Sequence, residues 1–411
     1  MSSDYLVMPR PVETRSSLPI LSVQEGDADP HGAFRRYRAL SPVIAHETGG
    51  YLVLRYADVE RLNKDPRLRF TETAWPEMHG VTEGALFNLF QYGMFQSNGD
   101  VHRRRRSPFN RVLAARLIIE TRPAIRRLAE ELVDSWYGDG RVEFIEQFSS
   151  PLSAIVVSDL LGLPRADSAR FAQLVYQVSR FFTFSVRPEE IPEIEAGAQE
   201  LADYLGGVLE DRRKNPRDDF LSRFLVVVDE AGELSPEEAV YGVLLVVFAG
   251  VDTSRVSSAM QVTLLLQHHD QWVAVCRNPE LIPSAVAEAL RYEPSVSNTW
   301  RFAPEDIDVD GVIIPAGSFI SLVHMSAMRD EHAYVRPDVF DIYQPREQRL
   351  HPIFGGGAHR CIGEALARAE LEESLVVLTK RIPQLRLDVP AIITGHVGMR
   401  RVQEMWLSWS V

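Results

Sequence analysis

Residues 354–363 read Phe354-Gly355-Gly356-Gly357-Ala358-His359-Arg360-Cys361-Ile362-Gly363, ahead of an amphipathic segment that predicts a helix from about Cys361 to Arg381. The glycines permit unusual backbone angles, and Gly363 leaves room for a large group beside the helix start. Unpaired N–H groups and the helix dipole favour a thiolate at such a position, which suits a metal ligand. A lone cysteine there is more often structural or redox-active, so the local pattern leaves both interpretations open.

Neither a CxxC nor an HExxH pattern accompanies Cys361, so we do not expect a zinc site. A metal bound by this one thiolate would bring its other ligands with it, as the iron of a haem does. The second cysteine, Cys276, lies outside any motif. Two cysteines in 411 residues do not form a disulfide scaffold and fit a reducing cytoplasm.

The composition predicts one soluble, continuous domain spanning residues 1–411. Apolar residues make up 45% and charged residues 25%, which excludes a disordered or collagenous chain. The net charge of −13 argues against general binding to nucleic acid or to an anionic membrane. The first 20 residues lack the apolar core of a signal peptide. The most apolar run, Val243 to Val251, is shorter than the roughly 20 residues that cross a bilayer.

The hydrophobic pattern predicts a mainly α fold with a small β portion. A hairpin is expected from Pro42 to Tyr56, and short strands are expected between Ile307 and Ile320. From 102 to about 266 the pattern is mainly helical. Its longest helix begins at the capping box of Ser235 and Glu238 and continues to about Leu266. Residues 70–97 show no clear period but many large apolar groups, which indicates either a pocket cover or core filling, and 329–360 are irregular.

The cysteine stretch resembles the cysteine loop of the cytochrome P-450 family, whose pattern is F-G-x-G-x-H-x-C-x-G. Every marked position is filled, by Phe354, Gly355, Gly357, His359, Cys361 and Gly363. The resemblance continues over nearly all of the chain. It implies the cytochrome P-450 fold, a triangular helical prism with a long central helix over the haem. It also implies haem b (iron protoporphyrin IX), with the Cys361 thiolate as its one axial protein ligand and metal contact.

A second motif, Ala249-Gly250-Val251-Asp252-Thr253-Ser254, lies midway along the long helix. Taken without the family, it indicates a packing kink in an apolar helix. It resembles the family's oxygen-activation motif, in which small residues, here Ala249 and Gly250, let dioxygen and substrate lie over the iron. The resemblance implies that Thr253 holds the bound oxygen and its associated water and that Asp252 relays protons from solvent.

Four basic side chains resemble the family's partners of the haem propionates: His102, Arg106, Arg301 and His359. Without the family, His102 to Arg106 is a solvated basic run. In the family interpretation, donors one turn apart neutralise two carboxylates.

A third motif, Glu288-Ala289-Leu290-Arg291, resembles the family's E-x-x-R helix, which implies a structural pair beside the cysteine loop. The family commonly completes this cluster with an arginine. Here Gln344 stands at about that place and Arg346 follows two residues later, so the third member is open.

The resemblance implies a soluble bacterial haem-thiolate monooxygenase, an oxidoreductase that inserts one atom of O2 into an apolar organic substrate. Two alternatives are a peroxide-driven peroxygenase of the same fold and a haem-thiolate sensor or binding protein without turnover. The pair Asp252-Thr253 weighs against both. Turnover with a ferredoxin and its reductase, but not with peroxide, would separate the three.

The substrate pocket is predicted from the family's segments and is mainly apolar. Asn298 and Thr299 are expected either to orient a polar group of the substrate or to cap strand backbone. The predicted contacts are Phe95, Leu245, Val246, Val296, Asn298 and Thr299, with Phe181, Phe182 and Phe184 nearby.

The electron donor must be another protein, since the chain has no flavin-binding or iron–sulfur segment. We expect an iron–sulfur ferredoxin with an NAD(P)H-dependent ferredoxin reductase. A local basic patch would steer an acidic partner despite the net negative charge of the chain. The patch is predicted from Arg103, Arg104, Arg105, Arg360 and Arg368.

Overall fold

A computed structural model describes residues 18–113, 115–182, 186–344 and 353–411. Helices dominate these ranges, as the hydrophobic pattern predicts. They are α1 (Val23–Ala28), α2 (Pro30–Leu40), α3 (Tyr56–Leu62), α4 (Ala74–Met78), α5 (Gly84–Tyr92), α6 (Gly99–Val112), α7 (Ala115–Trp136), α8 (Ser150–Leu161), α9 (Ser168–Ser179), α10 (Ile191–Lys214), α11 (Phe220–Ala231), α12 (Pro236–Gln267), α13 (His269–Arg277), α14 (Ile282–Tyr292), α15 (His324–Ala327) and α16 (Glu364–Arg381).

The strands are short and form a minor part of the fold. They are β1 (Ile20–Leu21), β2 (Val43–His46), β3 (Tyr51–Val53), β4 (Arg141–Glu143), β5 (Thr299–Ala303), β6 (Ile307–Val309), β7 (Val312–Ile314), β8 (Ser318–Leu322), β9 (Arg386–Val389), β10 (Ile393–Thr394), β11 (Arg401–Val402) and β12 (Trp406–Ser408). The largest sheet has the order β1-β2-β3-β8-β5. Its antiparallel β2–β3 pair confirms the predicted hairpin.

The long helix α12 runs through the core, with 32 residues from Pro236 to Gln267. Its start is the predicted capping box, in which Ser235 and Glu238 bond each other's backbone N–H groups. By length and composition α12 could cross a membrane, but 67% of its most apolar window is buried inside the protein. It packs against α5, α8, α9, α10, α14 and α16. A helix that is apolar all round belongs in a core, and this one holds the core together.

Residues 70–97 are more regular than the sequence indicates, because they contain α4 and α5. In α5, Leu86, Leu89 and Phe90 are buried at helical spacing, while Phe87 is half-buried on another face. Because large apolar side chains lie on several faces of α5, the sequence shows no clear helical period there. Glu195 of α10 caps this helix by accepting hydrogen bonds from the first N–H groups of α5. A cap so far away in the chain leaves no local sequence signal.

The last long helix, α16, begins at Glu364, three residues later than the sequence predicts. Cys361 therefore precedes the helix, in a loop that follows one 3-10 turn over Gly357–His359. Gly363 is the N-cap residue of α16. Cys361 lies two residues before it and is therefore outside the first turn, where the helix dipole acts most strongly.

Candidate active site

The Cys361 loop is closed on itself by a backbone hydrogen bond in which Cys361 N–H donates to Phe354 O at 2.8 Å. Gly355 and Gly357 have φ angles of 69° and 60°, which only glycine adopts without strain. A side chain at position 363 would begin 3.9 Å from Cys361 Sγ, so Gly363 keeps one side of the sulfur clear.

Cys361 is exposed, although protein surrounds most of its side chain. Its side chain retains accessible surface, yet burial among surrounding protein raises the pKa of the Cys361 thiol, against a lowering hydrogen bond from the Gly363 backbone. Because Cys361 precedes α16, it gains less from the helix dipole than a residue of the first turn would. The thiolate at Cys361 stays a prediction.

Beside the cysteine loop lie the four basic residues that the sequence singles out. The rings of His102 and His359 are stacked with centroids 3.7 Å apart. Arg106 Nη2 donates to Arg360 O, the carbonyl directly before Cys361, at 2.5 Å. Helix α6 therefore ties its two basic side chains to the loop that carries the cysteine.

The fourth basic residue, Arg301, reaches the same cluster from β5. Its guanidinium lies 4.0 Å from the ring centroid of Phe70, whose ring is 4.2 Å from that of His359. Arg301 donates to Trp300 O at 2.7 Å and to Asn63 Oδ1 at 3.1 Å. Phe70 thus lies between Arg301 and His359.

The two arginines of the cluster, Arg106 and Arg301, are cations without a countercharge among the described residues, whereas burial lowers the pKa of His102 and of His359 and keeps both rings neutral near pH 7. No carboxylate of the described ranges bonds or pairs with His102, Arg106, Arg301 or His359. Burial lowers the pKa of Arg301 to about 9, and burial, with Arg106 nearby, lowers the pKa of His102 to about 4. Buried cations are normally paired. The cluster therefore fits an anion that the protein itself does not provide.

Unsatisfied polar atoms around Arg301 point to the same conclusion. Asn63 Nδ2, Thr299 Oγ1 and both ring nitrogens of His324 are buried and have no hydrogen-bond partner within the described ranges. Thr299 and Arg301 are two residues apart on β5 and so share one face of the sheet. Donors and cations beside an accessible thiol are the set that a haem requires, with iron for the sulfur and two carboxylates for the cations.

One stripe of α12 is accessible although most of this helix is buried. Val246, Ala249, Gly250 and Thr253 retain accessible surface at spacings of three and four, whereas their neighbours on the other faces are buried. Thr253 Oγ1 donates to Ala249 O at 2.6 Å, one turn earlier. The stripe lines a cavity and presents one hydroxyl to it.

The two small residues of this stripe have different surroundings. A Cβ on Gly250 would stand 3.0 Å from Val157 Cγ2, so this glycine permits the close approach of α8. Gly250 thus fits the packing interpretation, while Ala249 carries the most accessible position of the stripe.

Glu288 and Arg291 form a fully buried pair on α14, with neither side chain exposed to solvent. Arg291 bonds both carboxylate oxygens of Glu288 at 2.8 Å. The backbone N–H of Asp341 donates to Glu288 Oε1 at 2.8 Å. Gln344 Nε2 has no partner, and Arg346 lies outside the described residues. Backbone, rather than the side chain of Gln344, completes this part of the cluster.

Comparisons with known proteins agree with this geometry. A model of the Cytochrome P450 family matches residues 274–382. The plant-inducible Cytochrome P450-pinF1 of Rhizobium radiobacter is 40% identical over 386 residues, 93% of this chain and 91% of that protein. The chain belongs to the cytochrome P450 family. 6-Deoxyerythronolide B hydroxylase of Saccharopolyspora erythraea is 30% identical over 92% of this chain and 94% of its own length.

Solved P450 structures share the fold over almost the whole chain. The epothilone D-bound cytochrome P450epoK superposes with a TM-score of 0.87 and 27% identity, covering 95% of this chain and 98% of that one. P450BioI, solved with an acyl carrier protein that bears hexadec-9Z-enoic acid, has a TM-score of 0.85 and 28% identity, covering 94% and 100%. The P450 fold and the haem-thiolate cofactor of this family follow for the chain, which is a cytochrome P450 monooxygenase.

The predicted pocket residues of this P450 lie in three different surroundings. Phe95 is 39% exposed and packs against Phe70, close to the cationic cluster. Val246 is on the accessible stripe, but Leu245 is 6% exposed and belongs to the core. Phe181 is fully buried, so it supports the pocket from behind.

Phe182 is half-buried, and its ring lies against Phe90 and Phe248. The remaining aromatic residue of that segment, Phe184, lies outside the described residues.

The segment 296–299 of the P450 chain is fixed by the loop around Gly398. Val296 forms a bridge with Met399, and Asn298 Oδ1 accepts bonds from Gly398 N and Ser297 Oγ. The amide oxygen of Asn298 therefore caps backbone, as one interpretation of the sequence predicts. Its Nδ2, like Thr299 Oγ1, remains unpartnered.

One buried acid escaped the sequence analysis. Glu370 of α16 is 3% exposed, and burial raises its pKa to about 8, against a hydrogen bond with Ser254. It lies next to the residue that follows Thr253. A carboxyl group on the apolar side of an amphipathic helix is the signal that could have found it.

Proposed function

We propose that the chain binds one haem b, with Cys361 as its one axial protein ligand and with the propionates held by His102, Arg106, Arg301 and His359. The observation that carries this proposal is the accessible thiol beside four basic residues without a carboxylate. Phe354 and Gly363 shape the loop around the sulfur. Glu288 and Arg291 support the loop structurally.

Bound haem supplies oxygen activation and the oxidation of substrate. The residues of the chain position the reactants and deliver protons to them. The small side chain of Ala249 leaves space beside α12 for small molecules, and Gly250 lets α12 approach α8. The Thr253 hydroxyl donates to Ala249 O, which directs its lone pairs to the cavity. The Asp252 carboxylate takes protons from solvent and passes them toward Thr253.

The reaction that we propose inserts one atom of O2 into an apolar small molecule. Phe95, Val246 and Val296 supply apolar wall, and Leu245 supports it from the core. Asn298 Nδ2 and Thr299 Oγ1 are enclosed behind this wall and have no partner among the described residues, so we propose that a substrate with one acceptor group reaches them by displacing their neighbours.

Electrons come, in this proposal, from an iron–sulfur ferredoxin reduced by an NAD(P)H-dependent reductase, in the cytoplasm and with no membrane or nucleic acid involved. Five arginines, Arg103, Arg104, Arg105, Arg360 and Arg368, share three carboxylates, those of Asp100, Glu238 and Glu364. The patch therefore keeps a net positive charge.

The patch differs from the sequence prediction in one respect. Arg104 and Arg105 both bond Glu238 and so brace the start of α12. Arg103, with a 73% exposed side chain, is the freer docking residue. The prediction of one domain over residues 1–411 stays a prediction.

The test is the spectrum of the reduced carbon-monoxide complex. Cys361→Ser should abolish the red-shifted Soret band of the parent, because an alcohol does not supply the thiolate ligand. Cys276→Ser is the matched control and should keep the band, since Cys276 is a half-buried residue of α13 and not part of the cysteine loop.

An unchanged band in Cys361→Ser would remove the haem assignment. Product formation with ferredoxin and reductase, but not with peroxide, would separate the monooxygenase from the peroxygenase and the sensor.

A further inference from the structure

The Asp252 carboxylate is held from one side only. Asp252 is 4% exposed, and Arg255, three residues later on α12, donates Nε at 3.0 Å and Nη2 at 2.6 Å. Both bonds end on the same oxygen, Oδ1. The other oxygen, Oδ2, accepts no hydrogen bond from any residue of the described ranges, yet it is not among the fully enclosed atoms. The two oxygens of this carboxylate are therefore chemically different.

Arg255 is itself held in place by a neighbouring helix. Its guanidinium carbon lies 4.2 Å from the ring centroid of Tyr176, on α9. The Tyr176 hydroxyl bonds Ser150 Oγ at 2.6 Å, at the start of α8. Burial raises the pKa of Tyr176 to about 12, so the phenol stays neutral beneath the cation. A stacked guanidinium keeps its plane, which fixes the direction of its two N–H donors.

The ion pair dominates the electrostatics of this site. Burial by itself would lower the pKa of Arg255, but Asp252 and Tyr176 raise it above its ordinary value. Glu146 acts on Arg255 and on Tyr176. Arg401 interacts with both members of the pair, and Arg180 and Glu190 act in turn on Arg401. None of these makes a hydrogen bond to Asp252.

We propose that Arg255 is a positioning residue for proton delivery, and that it engages Oδ1 of Asp252 so that Oδ2 is the oxygen that carries the proton. A proton from solvent water binds Oδ2, and bulk solvent reprotonates the water. The proton then passes from Oδ2 to the Thr253 hydroxyl oxygen as that hydroxyl releases its own proton toward the reacting oxygen, which restores both the carboxylate and the hydroxyl. Tyr176 keeps the guanidinium aligned during this cycle. The inference rests on the proposed role of Asp252 in proton transfer.

The physical reason is that Arg255 does two things at once. Its charge offsets part of the desolvation cost of a buried carboxylate. Its fork also fixes the carboxylate rotamer, so Oδ2 keeps a constant direction relative to Thr253. Loss of the cation should therefore slow proton transfer without removing Asp252.

The experiment compares Arg255→Gln and Arg255→Lys with the parent holoenzyme. In Arg255→Gln we expect severalfold more hydrogen peroxide per reduced cofactor consumed, a larger solvent isotope effect on turnover, and a pH profile displaced to higher pH. Infrared difference spectra against Arg255→Gln/Asp252→Asn should show the protonated carboxyl band persisting to higher pH. Arg255→Lys restores the charge and should recover part of each effect.

Two further variants make the test specific. Tyr176→Phe keeps the ring and should resemble the parent, whereas Tyr176→Leu should shift the isotope effect in the direction of Arg255→Gln. Arg61→Gln removes another ion pair of the same i, i+3 spacing, with Asp58, and should change none of the readouts.

The outcomes distinguish the positioning role of Arg255 from the proton-transfer role of Asp252. An unchanged pH profile and isotope effect in Arg255→Gln, with both changed in Asp252→Asn, would overturn the role of Arg255 and leave Asp252 in place. Parent-like behaviour of Asp252→Asn would overturn the proton-transfer role of Asp252, and the positioning role with it.

Discussion

Two buried clusters of this P450 both contain charged side chains, but the charges cancel in one cluster and not in the other. The Glu288–Arg291 pair is closed, since its charges cancel and its donors end on the carbonyls of Met328, Pro337 and Val339. The cluster of His102, Arg106, Arg301 and His359 is open. It holds two arginine cations beside two neutral histidines, and neighbouring polar atoms have no partner among the described residues.

The difference separates structural from functional burial of charge. A closed cluster stabilises only while it is complete, because removing one partner leaves an uncompensated charge. An open cluster already includes the unfavourable free energy of an unpaired buried charge when no haem is bound, and the binding of an anion offsets that free energy. The two clusters should therefore respond in opposite ways to mutation.

The largest effect is expected from breaking the closed cluster. Glu288→Gln leaves the Arg291 charge buried without its partner and should lower the free energy of unfolding by about 3–5 kcal/mol. The measurement is chemical unfolding of the purified protein. Arg69→Gln is the control, since it breaks an exposed i, i+3 pair with Glu72 and should cost less than about 1 kcal/mol. Equal losses in the two variants would contradict the structural role of Glu288.

Next in size is the removal of a cation from the open cluster. Arg301→Met should leave the haem-free protein within about 1 kcal/mol of the parent, because relief of desolvation offsets two lost hydrogen bonds. Its haem should leave about tenfold faster or more, since the propionates lose a charge-assisted partner. Transfer of haem to a scavenging protein measures this rate. A stability loss as large as that of Glu288→Gln would make Arg301 a structural residue.

The histidines of the open region give a smaller, pH-dependent effect. Burial lowers the pKa of His102 to about 4 and that of His324 to about 3. The unfolded chain takes up these protons near its ordinary pKa of about 6.5, but the folded chain does not. Their contribution to stability is therefore complete above that pH and declines as the pH falls below it, by up to about 1.4 kcal/mol per unit for each histidine.

Unfolding of the haem-free protein across this pH range measures the slope. His102→Phe and His324→Phe should each flatten it, while the exposed control His269→Gln should leave it as in the parent. Bound haem should also reduce the slope, because the propionates supply negative charge beside His102. A slope untouched by either phenylalanine would mean that other groups set the acid sensitivity.

The smallest effect concerns the arginines at the surface beside the open cluster. Arg103→Glu should lower the rate of electron transfer from a ferredoxin and weaken its dependence on salt, with substrate binding unchanged. Arg170→Glu reverses an exposed arginine on α9 that pairs with Glu200 and serves as the control. Equal rates in both variants at every ionic strength would place the docking site elsewhere.

Local motifs explain which features could be predicted from sequence. The capping box of Ser235 and Glu238 marks the start of α12 within four residues, and this prediction is confirmed. The cysteine loop is likewise one contiguous pattern, and it identified the family. The functional roles of the cationic residues stay predictions, although the structure brings all four together.

Features formed by distant residues were out of reach. Asn63 reaches Arg301 across 238 positions, and Glu195 caps α5 across about 110. The burial of Glu370 depends on how α16 faces Ser254. Glu288 also accepts a bond from the backbone N–H of Asp341, which no motif could predict because backbone groups leave no trace in a sequence pattern. The role of Arg346 stays a prediction.

The four consecutive arginines of α6 bear on how this segment can vary in length. Successive residues of a helix point about 100° apart, and Arg103 meets Asp100, Arg104 and Arg105 meet Glu238, and Arg106 meets the loop carbonyl at Arg360. Inserting or deleting one residue just before Arg104 would rotate Arg104, Arg105 and Arg106 away from their partners on other segments, whereas Arg103 pairs with Asp100 of the same helix. A point substitution removes one of these contacts, whereas a one-residue insertion or deletion would remove the contacts with other segments together.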